Sequence, residues 1–290
     1  MSGVAYEIVD VFTDRPFAGN PLAVVYGADD LAADQMHTLA REFNLSETVF
    51  VLTPADPAAT YRVRIFTPES EIPFAGHPSV GAAVTSMRRG LFPPGDVIQE
   101  CGAGLLPITV TPQGAATVTG GTPKLGPALA VEPLLEITGL TAEDHAGGAP
   151  RHAGGGLDWV VFPVRREALA KIKINARAAE EHGITDLSVV AWDPVRSEAH
   201  SRVFIPGSAV PEDPATGSAA LALGIWLVDA GLLPADGTSS YRVHQGIEMK
   251  RPSRLECTVT ALAGAATSAT VGGHVWPVAT GQIAVPPFVG

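Results

Sequence analysis

The sequence is poor in cysteine and in long apolar runs. Its 290 residues include only two cysteines, Cys101 and Cys257; they could pair, but we favour two reduced, packed thiols. The best apolar stretch, residues 217–233, is interrupted by Asp229 and falls short of the roughly 20 residues that cross a membrane. Residues 1–10 contain neither a basic nor an apolar leader segment. We therefore expect a cytoplasmic protein without a membrane partner.

Positive clusters and cofactor motifs are also scarce. The net charge is −11, and the only adjacent arginines are Arg88-Arg89 and Arg165-Arg166, which argues against nucleic acid as a partner. There is no phosphate loop, no glycine-rich dinucleotide turn and no Cys or His pair at metal-ligand spacing. The sequence therefore predicts neither a cofactor nor a metal.

Two stretches of the chain resemble each other. The first starts at Arg64 and reads R-I-F-T-P-E-S-E-I-P-F-A-G-H-P-S-V-G-A-A; the second starts at Arg202 and reads R-V-F-I-P-G-S-A-V-P-E-D-P-A-T-G-S-A-A. They are separated by nearly half of the 290 residues, which favours an internal duplication. Chance similarity between two loops rich in proline and glycine is the alternative.

The two copies differ at residues suited to chemistry. One copy carries His77 and the other Asp213, and in each copy small residues open a long apolar helix pattern. Small residues at a helix start leave backbone N–H groups that can bind an anion such as a carboxylate. We expect the two helix starts to face each other across one cleft.

Hydrophobic periodicity predicts an α+β fold. Alternating segments at 6–12, 22–26 and 61–66 predict strands, and apolar segments at 80–87 and 219–228 predict helices. Many short strands are available to cover these two helices, so we expect two pseudo-symmetric halves, each a curved sheet around its helix.

The halves have expected boundaries along the chain. The N-terminal half comprises residues 1–122 together with a final strand at 277–290, and the C-terminal half comprises residues 123–276. In the N-terminal half, Asp34 is predicted to be the N-cap of a further amphipathic helix that ends near Asn44.

Glu47 stands in a segment, 45–52, that otherwise has the pattern of a core strand. A buried carboxyl group retains its proton to higher pH, which suits proton transfer. A glutamate on the polar side of an alternating strand would instead be solvated, and this stretch alone does not decide between the two. Asn20, between a glycine and a proline, is explained by turn chemistry, and from these residues alone we keep that interpretation ahead of a ligand role.

A serine hydrolase is one class that the sequence brings to mind, because His77, Asp213 and Ser218 are the residue types of a catalytic triad. The G-x-S-x-G turn of many such enzymes is absent, so we do not favour this class.

Six blocks in a fixed order give the chain a resemblance to the PhzF (phenazine-biosynthesis) family, which shares the diaminopimelate epimerase fold. The blocks are V-D-V-F at 9–12, G-N-P-L-A-V at 19–24, A-R-E-F-N-L-S-E-T-V-F-V at 40–51, I-F-T-P-E-S-E-I-P-F-A-G-H-P at 65–78, E-D-P-A-T-G-S-A-A at 212–220 and Q-G-I-E-M-K-R-P-S at 245–253.

This resemblance implies a cofactor-free isomerase, commonly a homodimer, with barrel-like halves and a site for a small carboxylate in the cleft between them. It implies that Glu47 carries the proton and that His77 and Asp213 flank the substrate. Gly76, Thr216 and Gly217 would offer helix-start N–H groups to the substrate carboxylate. The other binding residues that it implies are Asn20, Ser46 and Ser218.

Epimerases and racemases of this fold are similar in using a cysteine on each wall of the site. Cys101 and Cys257 lie outside both repeats, so a single carboxylic acid is the expected proton carrier.

The leading hypothesis is an isomerase that moves a proton between carbons of a small cyclic carboxylate, and the resemblance suggests trans-2,3-dihydro-3-hydroxyanthranilate as the substrate. A two-base epimerase that uses Glu47 and Asp213, and a non-catalytic small-anion-binding protein, are the alternatives.

Overall fold

The computed structural model describes residues 3–208 and 210–287. The chain forms two compact units. The N-terminal unit comprises residues 1–119 and 272–290, and the C-terminal unit comprises residues 120–271. Among the described residues, no helix has both the length and the apolar character needed to cross a membrane.

The N-terminal unit is built from short strands and from helices, most of them where periodicity predicts them. Its elements are β1 (Gly3–Val11), β2 (Asn20–Tyr26), α1 (Ala33–Phe43), β3 (Glu47–Leu52), β4 (Tyr61–Phe66), β5 (Glu71–Ile72), α2 (Gly76–Arg88), β6 (Gly95–Cys101), β7 (Gly104–Val110) and β8 (Ala115–Thr119).

The start of α1 differs from the sequence prediction. Ala32, and not Asp34, is the N-cap residue. The Ala32 N–H donates to Oε1 of Gln35 at 3.0 Å, so a side chain inside the helix satisfies the backbone at its start. Asp34 lies in the first turn, where its negative charge still complements the positive end of the helix dipole.

The C-terminal unit contains more helical segments than the sequence predicts. Its elements are β9 (Lys124–Ala128), α3 (Glu132–Thr138), a 3₁₀ turn (Ala142–Asp144), β10 (Arg151–Gly154), β11 (Asp158–Pro163), a second 3₁₀ segment (Arg166–Lys171), α4 (Ala176–Glu181), β12 (Leu187–Asp193), β13 (Glu198–Phe204), β14 (Glu212–Asp213), α5 (Gly217–Asp229), β15 (Gly237–Gln245), β16 (Ser253–Leu262) and β17 (Ala265–Ala284). From residue 272 onward, β17 belongs to the N-terminal unit.

Paired strands close the N-terminal unit into a barrel. β1 lies between β2 and the second part of β17, antiparallel to both. From β2 the pairing continues through β3, β4, β6, β7 and β8. β8 pairs in turn with β17, which completes the ring.

The C-terminal unit repeats the same order and direction of pairing. β10 and β11 are antiparallel, β11 and β12 parallel, β12 and β13 antiparallel, β13 and β15 parallel, and β15 and β16 antiparallel. The corresponding pairs of the N-terminal unit run from β1/β2 to β6/β7 with the same alternation.

An ion pair occurs at matching places in both units. Arg64 of β4 donates two hydrogen bonds of 2.7 Å to Glu71 of β5, and Arg202 of β13 donates two of 2.8 Å to Glu212 of β14. Each guanidinium also stacks on a phenylalanine ring two residues along its strand. Chance similarity of two loops does not account for shared pairing and shared side-chain contacts, so the predicted pseudo-symmetry of the two halves is confirmed.

An apolar helix occupies the centre of each unit. Residues 76–86 of α2 and residues 217–228 of α5 are all buried. α2 contacts β1, β2, β3, β7 and β8, and α5 contacts β9, β10, β11 and β16. A helix without a polar face must be enclosed. The structure confirms the predicted α+β fold, with a curved sheet around an apolar helix in each half.

The sheet approaches these helices closely at glycines. A Cβ added to Gly224 of α5 would lie 2.3 Å from Oη and 2.8 Å from Cζ of Tyr241. Tyr241 is fixed because it is buried and donates a 2.7 Å hydrogen bond to the Ala220 carbonyl oxygen. There is no room for a methyl group at this contact.

We expect Gly224→Ala to destabilise the protein by about 1–3 kcal/mol through overpacking, although alanine favours a helix by about 1 kcal/mol. Chemical denaturation of Gly224→Ala, Tyr241→Ala and the double variant measures the coupling. In the Tyr241→Ala background the glycine substitution is expected to be neutral or stabilising. An equal loss in both backgrounds would contradict the close contact.

Candidate active site

Three predicted residues of the N-terminal unit lie together, and we call them the N-terminal group: Asn20, Glu47 and His77. Asn20 is the first residue of β2, Glu47 is the first residue of β3, and His77 is the second residue of α2. β2 and β3 are parallel, with Leu22 opposite Glu47, so the starts of both strands lie at the same end of the barrel.

His77 makes contacts with both other members of the group. Its Nδ1 lies 3.3 Å from Nδ2 of Asn20, and its Nε2 lies 3.5 Å from Oε2 of Glu47. The Asn20 amide nitrogen can only donate, so Nδ1 of His77 accepts. The ring proton of the neutral imidazole is therefore on Nε2, the nitrogen that lies 3.5 Å from the Glu47 carboxyl group.

Burial keeps this imidazole neutral. Only 4% of His77 is exposed, and desolvation lowers its pKa from 6.5 to about 3. The Glu47 carboxyl group does not reverse this effect, because the contact of 3.5 Å is long for a hydrogen bond.

The structure decides the orientation of Glu47, which the sequence left open. Its side chain is 17% exposed and faces His77, so it points inward. The next residues, Thr48, Val49 and Phe50, are fully buried. Glu47 thus stands where an apolar strand begins.

Ser46 and Gly76 lie next to the N-terminal group in the chain. Ser46 is half-buried, in the turn between α1 and β3. Gly76 is the first residue of α2, and the first intrahelical bond at this end runs from the Ser79 N–H to the Ala75 carbonyl oxygen. The N–H groups of Gly76 and His77 precede that bond and are not consumed by the helix.

A second set of residues lies at the start of α5, and we call it the C-terminal group: Asp213, Thr216, Ser218 and Gln245. Asp213 ends β14, Thr216 is the N-cap of α5, and Gln245 ends β15. Gln245 Nε2 donates to the Asp213 carbonyl oxygen at 2.7 Å and to Thr216 Oγ1 at 2.9 Å. Its Oε1 accepts from the Thr216 N–H at 3.1 Å.

These bonds fix the direction of a hydrogen-bond chain. Because Thr216 Oγ1 accepts from Gln245, its own hydrogen is donated to Asp213 Oδ2, 2.5 Å away. Gln245 is 1% exposed and Asp213 is 8% exposed, so water competes little for these bonds. This hydrogen-bond chain fixes the position of the Asp213 carboxylate, whose Oδ2 is the final acceptor.

The same bonds correct one expectation. Thr216 was predicted to offer its N–H to a substrate carboxylate, but that N–H donates to Gln245. The side chain of Thr216 instead donates a hydrogen bond to Asp213. Gly217 is the first residue of α5, and its N–H precedes the first intrahelical bond, from Ala220 to Thr216.

Ser218 has a partner that the sequence did not reveal. Its Oγ accepts a 2.9 Å hydrogen bond from Trp159 Nε1 of β11, so its hydroxyl hydrogen is left to donate. Gln245 and Trp159 were both missed as site residues. Gln245 stands at the start of a recognised sequence block, Q-G-I-E-M-K-R-P-S. However, no spacing in the sequence connects Gln245 to Asp213 or Trp159 to Ser218.

Metal ligation has no support in the part of the chain that the structure describes. No group of three or more His, Cys, Asp or Glu side chains there has an arrangement that could hold an ion. Cys101 and Cys257 are both free thiols.

Known proteins resemble this chain over nearly all of its length. Residues 9–281 match the PhzC-PhzF family of phenazine biosynthesis-like proteins. An uncharacterized isomerase of Mesorhizobium japonicum is 38% identical, with 96% of this chain and 98% of the relative aligned. The trans-2,3-dihydro-3-hydroxyanthranilate isomerase of Pseudomonas aeruginosa is 34% identical, over 86% of this chain and 88% of that enzyme.

A solved structure gives the same result for the fold. The phenazine biosynthesis protein of the PhzF family from Bacillus anthracis superposes with a TM-score of 0.88 at 25% identity, covering 98% of this chain and 100% of that one.

The buried His77 makes stability depend on pH. Below pH 6.5 the unfolded chain binds a proton at this position that the folded protein does not bind until about pH 3, so stability falls as the pH falls through that range. We expect His77→Gln to reduce the fall by up to about 1.4 kcal/mol per pH unit. Urea unfolding from pH 7 to 4 measures it. The matched control is His152→Gln, at an exposed histidine. If the unfolding free energies of wild type and His77→Gln change equally with pH, His77 is not a buried neutral ring.

The hydrogen-bond chain at Asp213 predicts a second pH effect. Gln245→Glu cannot donate when ionised, so at pH 8 we expect a loss of about 2 kcal/mol or more. A protonated acid restores one donor, so the loss should shrink as the pH falls toward about 4.3, the ordinary value for glutamate. The measurement is the free energy of unfolding of Gln245→Glu and of a control, Gln113→Glu at an exposed glutamine, each at pH 8 and at pH 5. The control shows how much of the change is a general response to added charge. A loss of stability that does not change with pH would contradict the hydrogen-bond chain from Gln245 through Thr216 to Asp213.

Proposed function

Because the chain belongs to the PhzF family of phenazine biosynthesis-like proteins and is an isomerase, we propose that it moves a proton between two carbons of a small cyclic carboxylate, with Glu47 as the proton carrier. The observation that carries this proposal is the inward-facing Glu47 beside a neutral imidazole at 3.5 Å. A carboxylate removes the proton from one carbon and, as the acid, returns it to another, so the reaction needs no further reactant.

His77 supports this role as a positioning group. With its proton on Nε2 and its Nδ1 held by Asn20, the ring can donate to the Glu47 carboxylate or to a polar group of the substrate. Because the ring does not ionise near neutral pH, it does not compete with Glu47 for the transferred proton.

The C-terminal group has the features of a binding element in this proposal. Asp213, fixed through Thr216 and Gln245, would accept a hydrogen bond from a substrate amino or hydroxyl group. Ser218 would donate from its hydroxyl. Helix-start N–H groups favour anions, so the N–H groups of Gly76 in one unit and of Gly217 in the other are each a candidate donor to a substrate carboxylate.

We propose trans-2,3-dihydro-3-hydroxyanthranilate as the substrate to test first. A relative that is 34% identical is named for isomerising it, and it is a cyclic carboxylate that carries amino and hydroxyl groups. The relative that is 38% identical is named only as an uncharacterized isomerase. The experiment must therefore also show whether a different compound is the substrate.

We expect Glu47→Gln to lose turnover by at least about 100-fold, the usual contribution of a positioned acid or base, while substrate binding stays within about threefold. Ultraviolet spectra of the compound follow turnover and calorimetry follows binding. Glu42→Gln, an exposed glutamate on α1, is the control and should behave as wild type.

Equal turnover by wild type and Glu47→Gln would overturn the mechanism. Binding without turnover in wild type would instead overturn this substrate, and binding of related carboxylates would then be screened. Reaction in D2O tests the alternative of two bases: inversion at a single carbon would replace the proposed transfer between carbons.

A further inference from the structure

A cavity of about 840 Å³ lies within the C-terminal unit. It is found where two parallel strands part: the pairing of β11 with β12 ends at Pro163 and Val190, whereas β12 continues to Asp193. Ligands of open α/β sheets bind at such carboxyl ends of diverging parallel strands. The cavity has the volume of a small-molecule site, and no member of the N-terminal or C-terminal group lines it.

The wall of this cavity carries an excess of positive charge in a protein whose net charge is −11. Arg165, Arg166 and Arg196 are exposed there, against the single carboxylate of Asp193. Asp193 lies 3.9 Å from Arg196. Within residues 3–208 and 210–287, neither Arg165 nor Arg166 forms an ion pair. Adjacent unpaired guanidinium groups suit a carboxylate, which they can bind through paired hydrogen bonds.

Aromatic rings form another part of the wall. Trp192 and Trp226 both line the cavity. The Trp226 N–H donates to the Ala149 carbonyl oxygen at 2.9 Å and its ring is buried, so Trp226 is a fixed backing of the wall and the partly exposed Trp192 offers the ring face. Gly147 and Gly148, with φ of 89° and 79°, bring backbone without side chains to the same wall. A Cβ on Gly148 would lie 3.2 Å from the Trp226 ring.

Two polar atoms on lining side chains have no hydrogen-bond partner among the described residues. They are Nε1 of Trp192 and Nδ1 of His200. Burial and the charge of Arg166 lower the pKa of His200 to about 4, so its ring is neutral and stacks on His244 at 4.8 Å. An indole N–H can only donate, and a buried donor without a partner costs about 1–3 kcal/mol. A ligand oxygen that accepts a hydrogen bond from Trp192 Nε1, after a small rotation of the Trp192 ring, would remove that cost.

We propose that this cavity binds a small planar aromatic carboxylate, with its carboxylate on Arg165 and Arg166 and its ring against Trp192. The site is separate from the residues of the proposed proton transfer, and the proposal does not depend on that function. Flat rings favour aromatic walls, and the paired arginines select the carboxylate.

The probe for this site is 1-naphthoate, titrated into the full-length protein by calorimetry and by tryptophan fluorescence. We expect saturable binding that Arg165→Gln/Arg166→Gln weakens at least tenfold, and that is at least tenfold weaker for uncharged 1-naphthamide. Arg177→Gln, whose side chain is 86% exposed in the same unit, is the matched control and should leave the affinity unchanged. Because Arg165 and Arg166 line this cavity and belong to neither the N-terminal nor the C-terminal group, weakening of probe binding by their substitution assigns the probe to this cavity and not to the proposed active site.

Thermal melts establish that the double variant is folded, and Arg166→Gln alone serves if it is not. Absence of binding at millimolar probe, or equal affinity in wild type and the arginine variants, would overturn the proposal. A dimer in sedimentation that the arginine variants dissociate would also overturn it, because the cavity wall would then belong to an interface between copies of the chain.

Discussion

The enclosure of an apolar helix by a curved sheet is the constraint on which the rest of each unit depends. α5 has no polar face, with residues 217–228 all buried, so only its ends can present polar groups. Small residues at the start let the chain turn into the helix without filling the space there. The side chains that we propose to be functional are consequently found beside these starts: His77 is the second residue of α2, and Ser218 is the second residue of α5.

The two polar groups at these helix starts differ in how they are held. Around His77 the contacts are long, 3.3 and 3.5 Å, and burial alone sets the protonation of the ring. Around Asp213 the hydrogen bonds are between 2.5 and 3.1 Å long, and each donated hydrogen has one defined acceptor. Loose contacts suit a site where a proton must move, whereas a saturated chain suits a site where a carboxylate must keep one orientation. This division agrees with the proposed roles of the two units.

Most of the fold could be predicted from the sequence, because it rests on periodicity and on a repeat. The strands, the two apolar helices and the pseudo-symmetry all have local signals of this kind. α3 and α4 were missed because they are only seven and six residues long, too short for a helical period to stand out. The site was predicted less completely. Glu47 and His77 are polar residues in otherwise apolar segments, which makes them visible in the sequence. Gln245 is an ordinary residue at a strand end, and only its hydrogen bond in the folded structure connects it to Asp213.

The path of β17 has a consequence for how the chain folds. The N-terminal barrel needs the later part of this strand between β1 and β8, and the ribosome makes that part only after the whole C-terminal unit. Until then β1 and β8 have open edges, which are sites for incorrect pairing. The C-terminal unit can therefore finish folding first during synthesis, and the earlier-made unit must wait for its last strand.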